Sequence, residues 1–268
     1  MNVERLKRFV LSRKNEDGGF SFCKPLPSSV PETFYAVFIL KAIGCEVGED
    51  VVEFLLNRLR PEVPTMFYVF NALNVLGVEP PDYSEFLLKR LDEAVGREIS
   101  GLSGERGITA TYSFENPNVL REIYMIVSCL RILNVEVDLG DFVRRFKRGK
   151  GYGVNSPNLK DTFFAVGIKE DEDVIEFVME HECDCGGFSK KPNSYPPYLE
   201  DTFYAISTLN VLNFNYKNGK TVKYILSLQN SDGGFRRSIY GGISTLEDSY
   251  YAIASLKIMG VEERSAYF

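Results

Sequence analysis

The stretch LEDSYYAIASLKIMG (246–260) has two acidic residues directly after its first leucine and continues as an apolar run in which Lys257 is the one charged residue. PETFYAVFILKAIG (31–44) and LEDTFYAISTLNVLN (199–213) repeat its pattern, with an acidic residue three positions before a tyrosine. Looser copies are PTMFYVFNALNVLG (64–77), NVLREIYMIVSCLRILN (118–134) and LKDTFFAVGI (159–168). A repeat of this kind predicts helical units that stack side by side, because one unit alone cannot bury its apolar face.

Three of the copies follow a Gly-Gly-Phe turn, at residues 18–20, 186–188 and 233–235. Between the copies lie segments whose apolar residues recur at helical spacing, with charged residues on the other face. These amphipathic segments cover about residues 2–13, 49–59, 84–95, 139–147, 171–180 and 220–229. The sequence therefore predicts outer helices that touch solvent, alternating with nearly uncharged inner helices that are enclosed.

Six outer and six inner helices predict an all-α fold, an α6/α6 toroid whose inner helices surround a central cavity. An open solenoid of helical hairpins would show the same periodicity, so the pattern alone leaves closure undecided. The chain has 268 residues with 44% apolar content and lacks a Pro/Gly/Ser-rich linker. We expect a single toroid domain over residues 1–268.

Composition also narrows the expected surroundings of the protein. The charged start MNVERLKRF lacks the apolar stretch of a signal peptide, and no apolar run is long enough to span a bilayer, which predicts a cytoplasmic protein. An odd number of cysteines, five, fits reduced thiols better than a disulfide framework. The net charge of −6 gives no reason to expect nucleic acid or an anionic membrane as partner.

The inner segments are rich in phenylalanine and tyrosine. An aromatic-lined cavity suits a long apolar or carbocationic ligand, since ring faces offer contact area and a negative quadrupole. The alternative is that the rings fill the centre as ordinary core. The residues concerned are Phe34, Tyr35, Phe38, Phe67, Tyr68, Phe70, Tyr124, Phe163, Phe164, Phe203, Tyr204, Tyr250 and Tyr251.

The Gly-Gly-Phe turns, the (Glu/Asp)-(Thr/Ser)-(Phe/Tyr)-Tyr-Ala helix starts and the six-fold count resemble the β subunits of protein prenyltransferases. More distantly they resemble the squalene and hopene cyclases. The resemblance covers essentially the whole chain and implies the toroid fold. For the transferases it also implies a cavity for a farnesyl or geranylgeranyl diphosphate, a basic cluster at its rim, a zinc ion that activates a cysteine thiol, and a helical-repeat α subunit as partner of the chain or an acceptor peptide.

The best local match to the transferases is GGFSKKPNS (186–194). There Lys191 takes the position of a diphosphate-binding arginine, and Ser194 stands where the family has a further lysine that Lys190 would replace. Arg121 coincides with another arginine of the family's pocket. We expect these cations to hold diphosphate, although exposed charges are often merely solvated. The full set of predicted substrate-binding residues is Arg121, Lys190, Lys191, Tyr204, Tyr251, Tyr124 and Asp161.

The family's zinc ligands are an Asp, a Cys and a His, and the matching positions here hold Asp201, Phe203 and Asp248. With a single ligand retained, we do not expect the family's zinc site. Two carboxylates suit a harder ion such as Mg²⁺. A divalent cation, whether Mg²⁺ or Zn²⁺, would be held by Asp201 and Asp248. A separate His-x-Cys-x-Cys segment, His181, Cys183 and Cys185, lacks a second ligand pair, which favours accidental clustering.

At equivalent positions of the inner helix starts lie Glu32, Thr65, Arg121, Asp161, Asp201 and Asp248. Helix capping explains each acid singly, but several acids around one mouth would raise one another's pKa and prepare a cation site or a proton donor. The second function hypothesis is a class II terpene cyclase-like enzyme, in which Glu200 or Asp201 of YLEDT (198–202) is the acid. The third is a toroid that binds an isoprenoid or a peptide without chemistry. Asp201, Asp248 and Glu200 are the predicted catalytic residues.

Overall fold

The structure is a computed structural model that describes residues 1–101 and 118–261. Helices and a short hairpin follow one another along these residues. In chain order they are α1 Val3–Leu11, α2 Val30–Ala42, α3 Glu49–Arg58, α4 Val63–Leu76, α5 Ser84–Gly101, α6 Val119–Ile132, α7 Gly140–Arg144, β1 Lys147–Arg148, β2 Gly151–Tyr152, α8 Leu159–Ile168, α9 Val174–Met179, α10 Leu199–Val211, α11 Gly219–Ser227 and α12 Leu246–Ile258. All six predicted inner segments are helices, the even-numbered ones.

The inner helices form a closed ring. Each packs against the next one in sequence, and α12 packs against α2, which joins the last copy to the first. This contact confirms the toroid and excludes the open solenoid. The inner helices are enclosed as their composition predicts, since α8 and α10 are buried along most of their length. In the described parts of the chain, no helix is both long and apolar enough to span a bilayer.

The first and last copies also contact each other in the layer of outer helices. Gly233, in the last Gly-Gly-Phe turn, has φ +99°, and a Cβ there would lie 2.2 Å from the carbonyl carbon of Arg5 in α1. The Asn2 amide donates a hydrogen bond to the Gln229 side chain, which in turn donates to the Asn2 carbonyl. Only glycine combines this backbone conformation with so close an approach, so the turn fixes the last copy onto the first.

Each Gly-Gly-Phe turn is tied to the inner helix that follows it. Phe188 is fully buried, and its amide donates to the Thr202 hydroxyl over 2.9 Å. The same bond recurs from Phe20 to Thr33, from Phe235 to Ser249 and, in the fourth copy, from Tyr152 to Thr162. The Thr/Ser of the repeated motif is therefore an acceptor for a buried amide that would otherwise lack a partner.

The acids of the same motif do not cap their helices, so the expectation that each acid is a helix cap is wrong. The caps are the residues three positions earlier: Ser29, Asn118, Asn158 and Thr245 accept from the backbone amides of Glu32, Arg121, Asp161 and Asp248. Tyr198 precedes α10 and makes no side-chain capping hydrogen bond. The acids thus occupy the third helical position, where their charge meets the positive end of the helix dipole.

The outer helices match the prediction less well at their ends. The predicted helix 139–147 ends at Arg144, and the chain then forms the hairpin of β1 and β2 around Gly149, whose φ is +60°. The predicted helix 171–180 is reduced to α9. In contrast, α5 continues beyond the predicted residue 95 to Gly101, which brings Arg97 to the ring mouth.

Candidate functional site

An aromatic layer crosses the ring. Its members are the fifth or sixth residues of the inner helices, and each ring contacts one on a neighbouring inner helix. Centroid distances are 5.3 Å for Phe34–Tyr250, 5.4 Å for Tyr250–Phe203, 6.1 Å for Phe203–Phe163, 5.2 Å for Phe163–Tyr124, 6.0 Å for Tyr124–Phe67 and 5.8 Å for Tyr68–Phe34. Tyr68 and Phe67 contact each other within α4 at 5.3 Å, which completes the circuit.

Cavities lie on both sides of this layer. The larger, here called the mouth pocket, has a volume of about 1490 Å³ and lies at the N-terminal ends of α4, α6, α8 and α10. A cavity of about 420 Å³ lies at the other end of the ring, where Tyr124 and Phe163 belong to its lining. The rings predicted to line a central cavity thus contact one another, and the larger space lies on their N-terminal side.

The mouth pocket is rich in charge of both signs. Its apolar wall includes Pro61, Val63, Pro64, Phe86, Met125 and Leu159. Its cations are Arg90, Arg97, Arg121, Lys160, Lys190 and Arg237, and its acids are Glu62, Glu122, Asp161, Glu200 and Asp201. Of the predicted site residues, Arg121, Lys190, Asp161, Glu200 and Asp201 line this pocket.

Most of these cations already have a carboxylate partner. Arg90 and Arg97 both pair with Glu122, at 3.2 and 3.0 Å. Glu200 accepts from Lys160 at 3.2 Å and lies 3.7 Å from Arg237. Among the described residues, Arg121 and Lys190 have no such partner, so their charges are available to a ligand.

The backbone adds to this positive potential. The starts of four inner helices border the pocket, at Val63 of α4, Asn118 before α6, Asn158 before α8 and Tyr198 before α10. Amide groups at helix starts carry partial positive charge and bind phosphate and carboxylate groups. Arg121, Lys190 and the helix starts therefore favour the binding of an anion at the same mouth.

Asp201 is a half-buried acid of the pocket. No described side chain donates to its carboxylate or pairs with it. Burial, and then the nearby charge of Glu200, raise its pKa to about 6, while Lys190 acts in the opposite direction. At neutral pH it is mainly ionised, half-buried, and free to accept a proton or face a cation.

Unlike Asp201, Asp161 and Glu200 have side-chain partners for their carboxylates. Asp161 is buried, and the side-chain amides of Asn118 and Asn158 donate to its two oxygens. It therefore links the starts of α6 and α8. Glu200 lies between two cations, so its carboxylate is engaged in ion pairs with Lys160 and Arg237.

Asp248, Lys191 and the other predicted contacts lie outside the lining of the mouth pocket. Asp248 accepts from the Thr245 hydroxyl over 2.8 Å, and burial raises its pKa to about 6. Lys191 is exposed. Tyr204 packs in the aromatic layer, 5.4 Å from Phe163, and Tyr251 donates to Glu247 over 2.9 Å.

The donor set does not fit a zinc ion of the transferase type. Phe203, at the thiolate position, packs in the aromatic layer, and Asp248 replaces the imidazole. Within residues 1–101 and 118–261, no cluster of three or more His, Cys, Asp or Glu side chains is placed to hold a metal ion. The predicted cation at Asp201 and Asp248 stays a prediction.

His181 has a structural environment of its own. Its ring is buried, lies 4.6 Å from the Phe177 ring and hydrogen-bonds through Nδ1 to the Phe177 carbonyl over 2.8 Å. Burial lowers its pKa, so the neutral form is favoured. The imidazole is therefore part of the core beside Cys183 and Cys185, which agrees with accidental clustering.

Several polar residues of the mouth were missed by the sequence analysis. Arg90 and Arg97 lie on an outer helix, Lys160 precedes the predicted Asp161, and Arg237 lies on the loop before α12. Outside the lining of the mouth pocket, Glu247 accepts from Tyr35 as well as from Tyr251, and one carboxylate oxygen of Glu32 is buried with no hydrogen-bond partner among the described residues. The signal for Glu247 is the Leu-Glu-Asp of residues 246–248, which repeats the Leu-Glu-Asp that contains the predicted Glu200.

Comparisons with solved structures show the same architecture. Candida albicans protein geranylgeranyltransferase-I complexed with geranylgeranyl diphosphate (GGPP) is 14% identical, with a TM-score of 0.73 over 98% of this chain and 92% of that chain. The apo type II terpene cyclase MstE from Scytonema is also 14% identical, with a TM-score of 0.60 over 98% and 97% of the two chains. At this identity the likeness shows the fold alone.

Comparison with protein-family models identifies the family of the chain. Among curated proteins, none is significantly similar in sequence to the chain. The family model described as the prenyltransferase alpha-alpha toroid domain matches residues 1–151 and again residues 152–266. These two matches cover nearly the whole chain, so the protein belongs to the prenyltransferase alpha-alpha toroid family.

Proposed function

We propose that the protein binds an isoprenoid diphosphate in the mouth pocket and transfers the prenyl group there. The observation that carries the proposal is the pair of cations, Arg121 and Lys190, which have no carboxylate partner among the described residues and lie at a pocket bordered by four inner helix starts. A diphosphate is a compact, multiply charged anion, and both features favour it. The geranylgeranyl diphosphate bound to the fungal toroid of the same fold supports this ligand class.

The isoprenoid chain would lie against the apolar wall of the pocket, at residues such as Phe86, Met125 and Leu159. This places the chain across the ring mouth, above the aromatic layer. Contact with apolar side chains removes isoprenoid surface from water and supplies the part of the affinity that does not depend on charge.

In the proposed transfer, the allylic carbon–oxygen bond breaks and its electron pair leaves with the diphosphate, whose charge Arg121 and Lys190 stabilise. A nucleophile of the acceptor bonds to the same carbon. Asp201, ionised at neutral pH, takes the proton that the acceptor loses. No step uses a zinc thiolate, because the residues that the structure describes include no donor set for it. The helical-repeat partner expected from the resemblance stays a prediction.

The first experiment is a calorimetric titration of the protein with geranylgeranyl diphosphate. We expect saturable binding that Arg121→Ala and Lys190→Ala each weaken about tenfold to a hundredfold, since each removes a charge-assisted hydrogen bond. Lys217→Ala, at an exposed lysine that is not part of the pocket lining, serves as the matched control. Absence of binding, or equal losses in all three variants, would contradict the proposal.

Turnover is a separate measurement. Pyrophosphate release from geranylgeranyl diphosphate is followed with candidate acceptors, in the presence of EDTA, Mg²⁺ or Zn²⁺. Release that Asp201→Asn abolishes while binding persists would support transfer. Conversion of an intact polyene without pyrophosphate release would instead support the cyclase-like hypothesis, and binding without turnover would support a binding protein.

A further inference from the structure

Four loops lead directly into inner helices at one end of the ring, at residues 21–29, 153–158, 189–198 and 236–245. We call them the rim loops. They contain no aspartate or glutamate, although the whole chain has a net charge of −6. Their cations are Lys24, Lys190, Lys191, Arg236 and Arg237. The rim loops are thus a basic region on an acidic protein.

The rim loops also carry exposed apolar side chains. Ten large hydrophobic residues are exposed in the described chain, and six of them lie on these loops: Phe22, Leu26, Val154, Tyr195, Tyr240 and Ile243. Tyr240, Ile243 and Tyr195 are the most exposed, at 72%, 69% and 60%. A large apolar side chain that remains in water on a basic surface indicates an interaction site.

The loops are neighbours around the ring. They precede α8, α10, α12 and α2, which follow one another in the order of packing. The Tyr195 and Tyr240 rings of adjacent loops contact each other at 6.2 Å, and the Leu199 amide donates to the Arg237 carbonyl over 3.0 Å. The apolar and basic side chains therefore share one continuous arc of the molecular surface.

The mouth pocket opens along this arc. Ser156, Lys190, Tyr198 and Arg237 belong both to the rim loops and to the pocket lining. The acids at the inner helix starts lie one turn further in, and Glu200 and Asp161 there are already bonded to other side chains. Whatever docks on the rim loops thus meets cations, tyrosines and aliphatic side chains at the entrance of the pocket.

We propose that the rim loops dock the protein on the surface of an anionic lipid bilayer, with the mouth pocket facing the lipid. Tyrosine favours the headgroup level of a membrane, where its ring is in the apolar zone and its hydroxyl is in water. Lysine and arginine near the surface are attracted by anionic headgroups. The overall charge of −6 argued against this partner, but the charges are unevenly distributed and the rim loops are purely basic.

The spacing of the anchors favours a bilayer over a protein partner. The core of a stable protein interface is depleted of charged side chains. Here the exposed apolar side chains are spread over four loops with cations between them. Such a surface suits a bilayer, in which the apolar side chains insert while the cations between them contact headgroups. Docking also places the pocket entrance where an apolar isoprenoid would arrive from the membrane.

The test is flotation of the full chain with vesicles of phosphatidylcholine alone and of phosphatidylcholine mixed with phosphatidylglycerol. We expect association with the mixed vesicles, release at high salt because the attraction is partly electrostatic, and little association with phosphatidylcholine alone. Association that is absent from both kinds of vesicle would overturn the proposal. This assay does not depend on the proposed diphosphate site, which titration tests separately.

Variants of the rim loops test whether these loops are the surface that contacts the vesicles. The combined change Tyr195→Ser, Tyr240→Ser and Ile243→Ser should weaken vesicle association roughly tenfold or more, because three apolar anchors are lost. The matched control is Leu11→Ser, Leu56→Ser and Phe214→Ser, which removes three exposed apolar residues outside the rim loops. Equal association of the two triple variants would overturn the assignment. So would a rim variant that changes self-association in sedimentation analysis without changing vesicle association, since that result indicates a protein interface.

Discussion

The Phe203 ring packs against the Tyr251 ring with 4.7 Å between their centroids and 30° between their planes. Phe203 occupies the position at which the resembled transferases have a zinc-binding cysteine, and Tyr251 extends from the neighbouring inner helix. Both side chains are buried. The side chain at this position is therefore part of the aromatic packing of this toroid and offers no ligand to a metal ion.

Phe203→Ala should lower the free energy of unfolding by about 3 to 5 kcal/mol, because it leaves a cavity in the aromatic layer. Urea denaturation followed by circular dichroism measures the change. Tyr195→Ala, a truncation of an exposed ring, should change it by less than about 0.5 kcal/mol. If Phe203→Ala cost no more than the control, the ring would not be packed as described.

Closure of the outer layer gives a second prediction. Gly233→Ala places a Cβ against the backbone of Arg5 and also forces alanine into a positive φ, so it should lower the melting temperature strongly. Gly260→Ala is the matched control, because its φ is +72° but nothing lies within 4 Å of the added carbon. The control should cost about 1 to 2 kcal/mol for the backbone conformation alone. Equal losses would mean that the first and last copies are not in contact.

The sequence predicted the inner helices well because their signal is repeated. Apolar residues at helical spacing and the Gly-Gly-Phe turns recur from copy to copy, so each weak copy is supported by the strong ones. Closure could not be predicted from residues such as Gly233, since its contact partner, Arg5, lies more than two hundred residues away. Closure of the ring depends on the rotation from each repeat to the next, summed over all the repeats.

The repeat also predicted part of the site. Arg121 and Asp201 lie at equivalent positions of the inner helix starts, whereas Lys190 was assigned from the family resemblance, and the structure brings all three to the mouth pocket. Arg90 and Arg97 were missed because they lie on an outer helix whose charges look like an ordinary solvated face. Only the packing of α5 against α6 brings them to Glu122.

Glu32 should make stability depend on pH. Burial, and then the charge of Glu247, raise its pKa from the ordinary value of 4.5 to about 7. The folded state therefore keeps this proton to higher pH than the unfolded chain does. The resulting stabilisation is fully present below pH 4.5 and is lost as the pH rises through about 7.

Glu32→Gln removes this titration, so the variant should be more stable than the parent chain at pH 8 by roughly 1 to 3 kcal/mol and should differ less at pH 5. Urea denaturation at both pH values measures the difference. Glu16→Gln removes one charge at an exposed position and is the control. A difference between Glu32→Gln and the parent chain that does not change with pH would show that the Glu32 carboxyl is not held protonated by the fold.

Lys190 and Lys191 provide the sharpest test of the mouth pocket, because they are adjacent in sequence and only Lys190 belongs to the pocket lining. The family resemblance assigns the diphosphate contact to Lys191, whereas the structure favours Lys190. We expect Lys190→Ala to weaken geranylgeranyl diphosphate binding by about 1.5 to 3 kcal/mol, and Lys191→Ala to weaken it by less than about 1 kcal/mol, the size of a screened surface charge. Calorimetric titration of both variants at two salt concentrations decides between them. A larger loss in Lys191→Ala at both concentrations would mean that the diphosphate lies outside the mouth pocket, nearer the family's position.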